Sequence, residues 1–427
     1  MSEWPRYTVA HLQESGCLLV EDGNHGEYRP RPNEFGSGAT AFIRAADMDG
    51  GRVLFDTASR INDVALARIR KGIGRGGDIL FSHKGTVGKL ALVQIDSPPF
   101  VCSPQSTFWR TLDEERLDRT FLYAYMRSRT FRDQWTSRKG ETDMADYVSL
   151  SAQREFLVSV PPIGEQRAIG AVLGALDDKI ELSREMNRTL EATAQAVFKS
   201  WFVDLDEIPD DWRVTPVAEV QAGTKNATAA GPFGSKLTRR HYVEAGVPVI
   251  RGSNMGSGST WFRDRDFVFV SPEYANTLES SWARPGDVLI TQRGTLGQVA
   301  LIPRPSRYER YILSQSQMKL SCRPGMPALY VFFALRQQEM AEYIIANAAT
   351  SGVPHINLSF LRTLKLVVPP QPILDRFDQA VSPIAKQIRF NIEESENLAE
   401  LRDALLPKLL SGEIYVRQAE KAVERVL

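Results

Sequence analysis

The chain has 427 residues, with 52 basic and 52 acidic side chains and a formal charge of zero. That length predicts two or three domains. A hydrophobic share of 43% argues against wholesale disorder, and neutrality argues against a nonspecific basic nucleic-acid coat while leaving room for a local basic face. The 3 cysteines lie far apart without a CxxC and the 5 histidines are equally scattered, which argues against a zinc site or disulfide frame and for a reducing cytoplasm. No apolar run reaches the ~18 residues of a membrane span, and the first residues lack the layout of a signal peptide.

The chain begins with short apolar runs broken by Gly and Pro: Arg52-Val53-Leu54-Phe55, Ile79-Leu80-Phe81 and Leu90-Ala91-Leu92-Val93. Such runs read as strands. A helical stretch follows over 121–132, then a strand over 156–160 and a stop at Pro161-Pro162. Next a long helix is predicted over 165–203, roughly 58 Å at 1.5 Å per residue and far beyond the usual globular length. Its apolar residues recur at alternating helical steps: Ile169, Leu173, Leu176, Ile180, then Leu190, Ala194, Val197, Trp201. That is the pattern of a coiled-coil seam. The same order then starts again. Phe267-Val268-Phe269-Val270 and Val288-Leu289-Ile290 read as strands, 328–347 as helix, 364–368 as a strand and Pro369-Pro370 as a stop. A second long helix carries Phe377, Val381, Ile384, Ile388, then Leu398, Leu405 and Leu409. Pro383 is predicted to break or kink it, with Ser382 as a cap. Arg402 falls on the seam and must reach solvent or a carboxylate.

The two passes are copies. GDILFSHKGTVGKLAL, starting at Gly77, aligns with GDVLITQRGTLGQVAL, starting at Gly286, with eight of sixteen positions identical. Trp4 pairs with Trp212, Val9 with Val217, Ile43-Arg44 with Ile250-Arg251, and Asp47-Met48 with Asn254-Met255. Tyr147-Val148-Ser149-Leu150-Ser151 pairs with His355-Ile356-Asn357-Leu358-Ser359. Segments repeated in the same order at so long a period mean a duplicated domain and not a solenoid. The middle seam positions are polar in both long helices, Ser183 and Asn187 in the first and Asn391 and Ser395 in the second. Polar seam residues cost stability but fix register, and matched polar centres suit an antiparallel pair whose midpoints meet. Two separate amphipathic helices, each packed on its own domain, are the alternative. The predicted fold is therefore mixed α/β (α+β). Two tandem globular domains (1–162 and 206–371) are separated by a long antiparallel two-helix coiled coil (163–205 and 372–412) with pseudo-two-fold symmetry, and a tail follows (413–427).

This layout resembles the specificity subunit of type I restriction-modification systems. Ile208-Pro209-Asp210-Asp211-Trp212 is similar to the entry of a target-recognition domain, with Asp211 where the family often has Gly. Gly246-Val247-Pro248-Val249-Ile250-Arg251 resembles a strand entry of such domains, and the GD-[IV]-L and GT-x-G segments resemble one that recurs in both. Pro161-Pro162-Ile163-Gly164-Glu165-Gln166-Arg167 resembles the PP-x-x-EQ opening of the spacer helix, whereas Pro369-Pro370-Gln371-Pro372-Ile373-Leu374 lacks the Glu-Gln pair. The resemblance implies a cytoplasmic prokaryotic subunit of a phage-defence system, without catalysis of its own. Each domain would read one half of an asymmetric, bipartite site in double-stranded DNA. The helices would set the gap and dock two DNA-methyltransferase subunits, and motor-nuclease subunits would join. S-adenosylmethionine, ATP and Mg2+ are then expected on the partners, with no cofactor or metal on this chain.

Candidate DNA contacts are cations in loops, since phosphates and base edges call for Arg, Lys and small polar donors. Lys84 and Thr86 have twins in Arg293 and Thr295; Arg44 is duplicated as Arg251. Lys236, Arg239 and Arg240 cluster after Gly231-Pro232-Phe233-Gly234-Ser235, while Arg138, Lys139 and His355 lie in further loops. The competing readings are tight turns made by positive-φ glycines, structural ion pairs for Arg44 and Arg251, and a solvated face for Lys236, Arg239 and Arg240. Residues that differ between copies are the better candidates for base reading, those kept alike for backbone anchoring. Two rival functions remain. Ser97-Pro98-Pro99-Phe100 fits the tetrapeptide of amino-group DNA methyltransferases, whose aromatic ring stacks on a flipped base, but no fitting Gly-rich loop accompanies it. A two-fold protein-binding scaffold without DNA contact is the other.

Overall fold

The computed structural model describes residues 4–24, 26–138, 146–256, 258–349, 353–424 and 426. The chain divides into two compact units, one formed by Met1–Ile180 with Asn397–Leu427 and the other by Glu181–Glu396. Each holds one globular copy and parts of both long helices.

In the first unit an antiparallel sheet orders Leu18–Asp22, Ser106–Thr111, Ile79–Ser82 and Leu90–Leu92 side by side. A second sheet orders Ser59–Ile61, Phe35–Ile43, Phe100–Cys102 and Ile73–Gly74, with one parallel pair, Phe100–Cys102 on Phe35–Ile43. Arg6–Thr8 closes on Leu157–Ser159. The second unit repeats this plan, with five strands instead of four in its second sheet. Thr228–Ala230, Gln317–Leu320, Val288–Thr291 and Val299–Leu301 form the first sheet. Val247–Ile250 lies parallel to Tyr311–Leu313 inside the second, and Arg213–Pro216 closes on Lys365–Val368. Ile79-Leu80-Phe81 and Val288-Leu289-Ile290 are fully buried, which is why they read as continuous apolar runs instead of alternating ones.

The stretch read as one helix over 121–132 is two, Arg119–Arg127 and Arg129–Thr136, because Ser128 ends the first and caps the second, its Oγ accepting from the Phe131 N–H at 3.2 Å. Its counterpart over 328–347 likewise divides into Ala328–Leu335 and Gln338–Ala346. Residues 413–427, read as a tail, contain the helix Val416–Val423, whose Val416, Ala419 and Val423 are buried in the core of the first unit.

The long helices span Ile163–Phe202 and Gln371–Ser411. In the first unit Ile169, Leu173, Leu176 and Ile180 share a core with Leu398, Leu405 and Leu409. In the second, Ala194 and Phe198 share a core with Phe377, Val381 and Ile388. Early residues of one helix thus meet late residues of the other in the first unit, and the reverse holds in the second, so the pair is antiparallel. Of the break or kink expected at Pro383, the break is absent: the second helix runs through both Pro383 and Pro407. Each proline removes an intrahelical hydrogen bond, and the seam side chains buried on either side of Pro383, Val381 and Ile388, outweigh that local cost. Ser382 lies inside the helix and caps nothing. Nor does the missing Glu-Gln pair shift the start, since the Ile373 and Leu374 N–H groups reach the Pro370 carbonyl at 3.0 and 3.3 Å, and a first-turn proline lacks only an N–H that would have no partner there.

Candidate nucleic-acid interface

The repeated glycine segment builds the same loop in both units. Gly85 and Gly88 take φ of +78° and +100°, and Gly294 and Gly297 +97° and +82°, a left-handed region that favours glycine. The Gly88 N–H donates to the Ser82 carbonyl at 2.9 Å and the Lys89 N–H to Ser82 Oγ at 2.8 Å, closing the first loop. A second chain segment then holds each tip. Lys84 forms a β-bridge with Tyr147, and Arg293 forms one with His355. The Val148 N–H donates to the His83 carbonyl at 2.8 Å, and the Ile356 N–H to the Gln292 carbonyl at 2.9 Å. Two segments far apart in sequence therefore form one device in each copy: an exposed cation and threonine on a glycine turn, held by a β-bridge from a later segment. Lys84 and Thr86 are exposed, as are Arg293 and Thr295. The Lys84 ammonium lies 5.8 Å from the Tyr147 ring centre, a cation–π distance. Sequence reasoning brought Arg293 and His355 forward separately and passed over Tyr147, although its alignment with His355 was the available signal.

The aspartates of the two GD motifs are structural. Asp78 takes a two-pronged bond from Arg110, both contacts 2.7 Å, while its carboxylate also accepts the Arg75 N–H at 2.7 Å. Burial pushes the Asp78 carboxyl up and Arg110 opposes it. Asp287 meets Lys319 Nζ at 3.0 Å and Ser321 Oγ at 2.6 Å. Buried charges require such partners, so these aspartates stabilise the sheet beneath the loops.

The other predicted cations divide. Arg44 turns its guanidinium onto Asp47 at 3.1 Å, and this bond raises its pKa. Its twin Arg251 has Asn254 at that place, which accepts the Arg251 backbone N–H at 3.0 Å but carries no charge. The Arg251 guanidinium donates to the Asp266 carbonyl at 3.2 Å and has no carboxylate partner among the described residues. Arg138 lies over the Phe156 ring at 5.5 Å, donates to the Gln134 carbonyl at 3.0 Å and sits 3.7 Å from Glu155, folded onto its own domain. Lys139 lies outside the described residues. Lys236, Arg239 and Arg240 are all exposed on two short turns, Gly234–Lys236 and Arg239–His241, and none has a carboxylate partner among the described residues. Phe100, the ring of the methyltransferase-like tetrapeptide, is 1% exposed and packs on Phe55 at 5.6 Å. A ring so buried has no face to offer a flipped base.

The polar seam residues meet. Asn391 Nδ2 donates to Asn187 Oδ1 at 2.8 Å, and Asn187 Nδ2 donates to the Ile388 carbonyl at 3.2 Å. Ser183 Oγ donates to Glu394 at 3.3 Å, and Ser395 Oγ to the Asn391 carbonyl at 2.7 Å. In the first unit Arg402 finds its carboxylate in Asp177 at 2.6 Å, which also binds Arg127 at 2.6 Å. Asp177 and Glu191 escaped sequence reasoning, and Gln166 entered it only as part of the helix-opening motif. Buried Gln166 accepts the Asp118 N–H at 2.9 Å and donates to the Pro161 carbonyl at 2.8 Å, fixing the start of the first long helix. Glu191 accepts from Arg336 at 2.7 Å, Gln195 at 2.6 Å and the Trp261 indole N–H, tying that helix to the second globular copy.

Three comparisons bear on what this arrangement does. The family model for the type I restriction modification DNA specificity domain matches residues 27–192 and again 229–394. The chain is similar to the MjaIX specificity subunit of a type I restriction enzyme from Methanocaldococcus jannaschii, 23% identical over 367 residues that cover 80% of this chain and 78% of that one. It is similar also to the HindI specificity subunit from Haemophilus influenzae, 23% identical over 494 residues, covering 97% and 100%. The crystal structure of a type I restriction-modification S subunit from M. genitalium shares the fold, with a TM-score of 0.54 at 16% identity over 95% of this chain and 96% of that one.

Proposed function

The chain belongs to the type I restriction-modification DNA specificity family, and on that premise we propose that it is the DNA-recognition subunit of such a complex. Residues 1–162 and 206–371 each read one half of an asymmetric bipartite duplex site. Residues 163–205 and 372–412 hold the gap between the half-sites and dock two methyltransferase subunits, with motor-nuclease subunits completing the assembly. This chain performs no bond-breaking step of its own. S-adenosylmethionine, ATP and Mg2+ act on the partners, and the complex works in the cytoplasm of a prokaryote. One observation carries the reading: the glycine loop with its exposed cation and threonine occurs twice, in the same frame, on domains that differ in sequence around it. Like frames supply backbone anchors, of which Lys84, Thr86, Arg293, Thr295 and Arg251 are the leading set, and unlike surroundings supply two different words.

Methylation mapping of DNA from cells that express the chain with its partners tests the proposal. A single asymmetric two-part motif is expected. Equal affinity of the reconstituted complex for that motif and for scrambled duplex would overturn the specificity reading and favour a protein scaffold.

A further inference from the structure

Phe233 is 65% exposed, an unusual position for a side chain whose burial is worth about 2 kcal/mol. It stands at the tip of a stiff loop. Gly231 packs so tightly that a Cβ there would lie 1.8 Å from the Ser314 carbonyl oxygen, and its N–H donates to the Gln317 carbonyl at 3.0 Å. Gly234 takes φ of +64° and turns the chain directly after the ring. The Tyr274 hydroxyl donates to the Lys236 carbonyl, and the Tyr274 ring stacks on His241 at 4.4 Å. The loop is a fixed element of the domain frame, since Gly23 in the first copy makes the same close approach, 1.9 Å to the Ser103 carbonyl oxygen, and Gly26 takes φ of +60°. What differs is the tip, where alignment at the copies' spacing sets His25, outside the described residues, against Phe233.

An apolar ring held out by a tight turn, followed in the chain by exposed Lys236, Arg239 and Arg240 with no carboxylate partner among the described residues, complements one kind of surface: stacked bases flanked by phosphates. We propose that Phe233 is a wedge that enters the duplex between two base pairs of the half-site read by the second domain, while the three cations hold the neighbouring phosphates. This rests on the DNA-recognition reading above and adds a distortion step to it. Apolar wedges unstack a base step and bend the duplex, and pyrimidine–purine steps yield most readily, so the wedged step is expected to be TA or CA/TG.

The test uses the full chain with its methyltransferase partners and a duplex bearing the mapped site, with 2-aminopurine placed in turn along the second domain's half-site. Wild type should raise the fluorescence at one step. Phe233→Ala should abolish that rise and weaken binding by about 5- to 150-fold, the range for losing one stacked aromatic, without changing the salt dependence. Phe233→Leu keeps an apolar wedge and should retain most of the rise, and the thermal midpoint of each variant shows that it is folded. Specific binding by wild type with unchanged affinity and fluorescence in Phe233→Ala would overturn the wedge alone. Loss of partner subunits from Phe233→Ala with DNA binding intact would assign the ring to a protein contact and also overturn it. Failure of wild type to prefer the mapped site would sink the recognition reading and the wedge together.

Discussion

Replacing Asn187 by Leu should destabilise the protein, and replacing both Asn187 and Asn391 by Leu should not. Both side chains are almost fully buried, at 4% and 2% exposure, and their amides bond at 2.8 Å. The single change strands Asn391 Nδ2 without its acceptor, and a buried group left unpaired costs about 1–3 kcal/mol. The added apolar volume returns part of this, so a net loss of ~2 kcal/mol is expected, a fall of roughly 4–8 °C in the thermal midpoint for a cooperative unit of this size. The double change removes both unpaired groups. Gln387, which donates to Asn391 at 2.8 Å, is exposed and can turn to water. Stability should return to within ~1 kcal/mol of wild type or exceed it, and because Asn391→Leu strands Asn187 Oδ1 at a similar cost, the double-mutant cycle should show a coupling of about 3 kcal/mol. Urea unfolding of the four proteins measures this. Additive single effects would refute the pairing. The double variant should also lose its fixed register, so methylation mapping should show a loosened gap with unchanged half-sites.

Asp287→Ala should cost ~3–5 kcal/mol, because it leaves the Lys319 ammonium buried without its counter-charge; Asp287→Leu with Lys319→Met should recover most of that in the same unfolding assay. Arg68 donates to Glu34, and the Arg31 N–H adds a second bond, so the Glu34 carboxyl is held down at about 2. Its folded pKa is below the unfolded value, so its contribution is complete above about pH 5 and disappears as pH falls toward 2. A thermal midpoint followed across that window should fall less steeply in Glu34→Gln than in wild type. Lys84→Ala and Arg293→Ala should each lower the slope of log affinity against log salt by about 0.9 if each cation meets one phosphate, with the thermal midpoint unmoved; unchanged slopes would remove both from the interface.

Much of the architecture was legible because it is written in short-range patterns. Duplication, the strand runs around Ile79 and Val288, the seam from Ile169 onward and the polar centres at Asn187 and Asn391 all follow from spacing alone. The failures share one cause as well. Pro383 reads as a break because helix propensity is local, yet the apolar seam buried around it decides. Glu191 and Asp177 read as ordinary surface charges on a helix, and nothing within a few turns of either reveals Arg336, Trp261 or Arg402 as partners. The GD aspartates repeat in both copies, but only sheet pairing shows that Arg110 and Lys319 lie against them.

For the candidate interface the division is the same. Sequence alone determined that there are two glycine loops, each with a cation and a threonine, and that they are copies. Only the tertiary structure decided that Tyr147 and His355 close those loops, that Asp47 pairs with Arg44 while Asn254 stands in its place beside Arg251, and that Phe233 stands out in solvent. Periodicity and turn chemistry act over a few residues and can be read along the chain. Charge pairing and exposure are set by which distant strands lie side by side, and that choice is made only when the core closes.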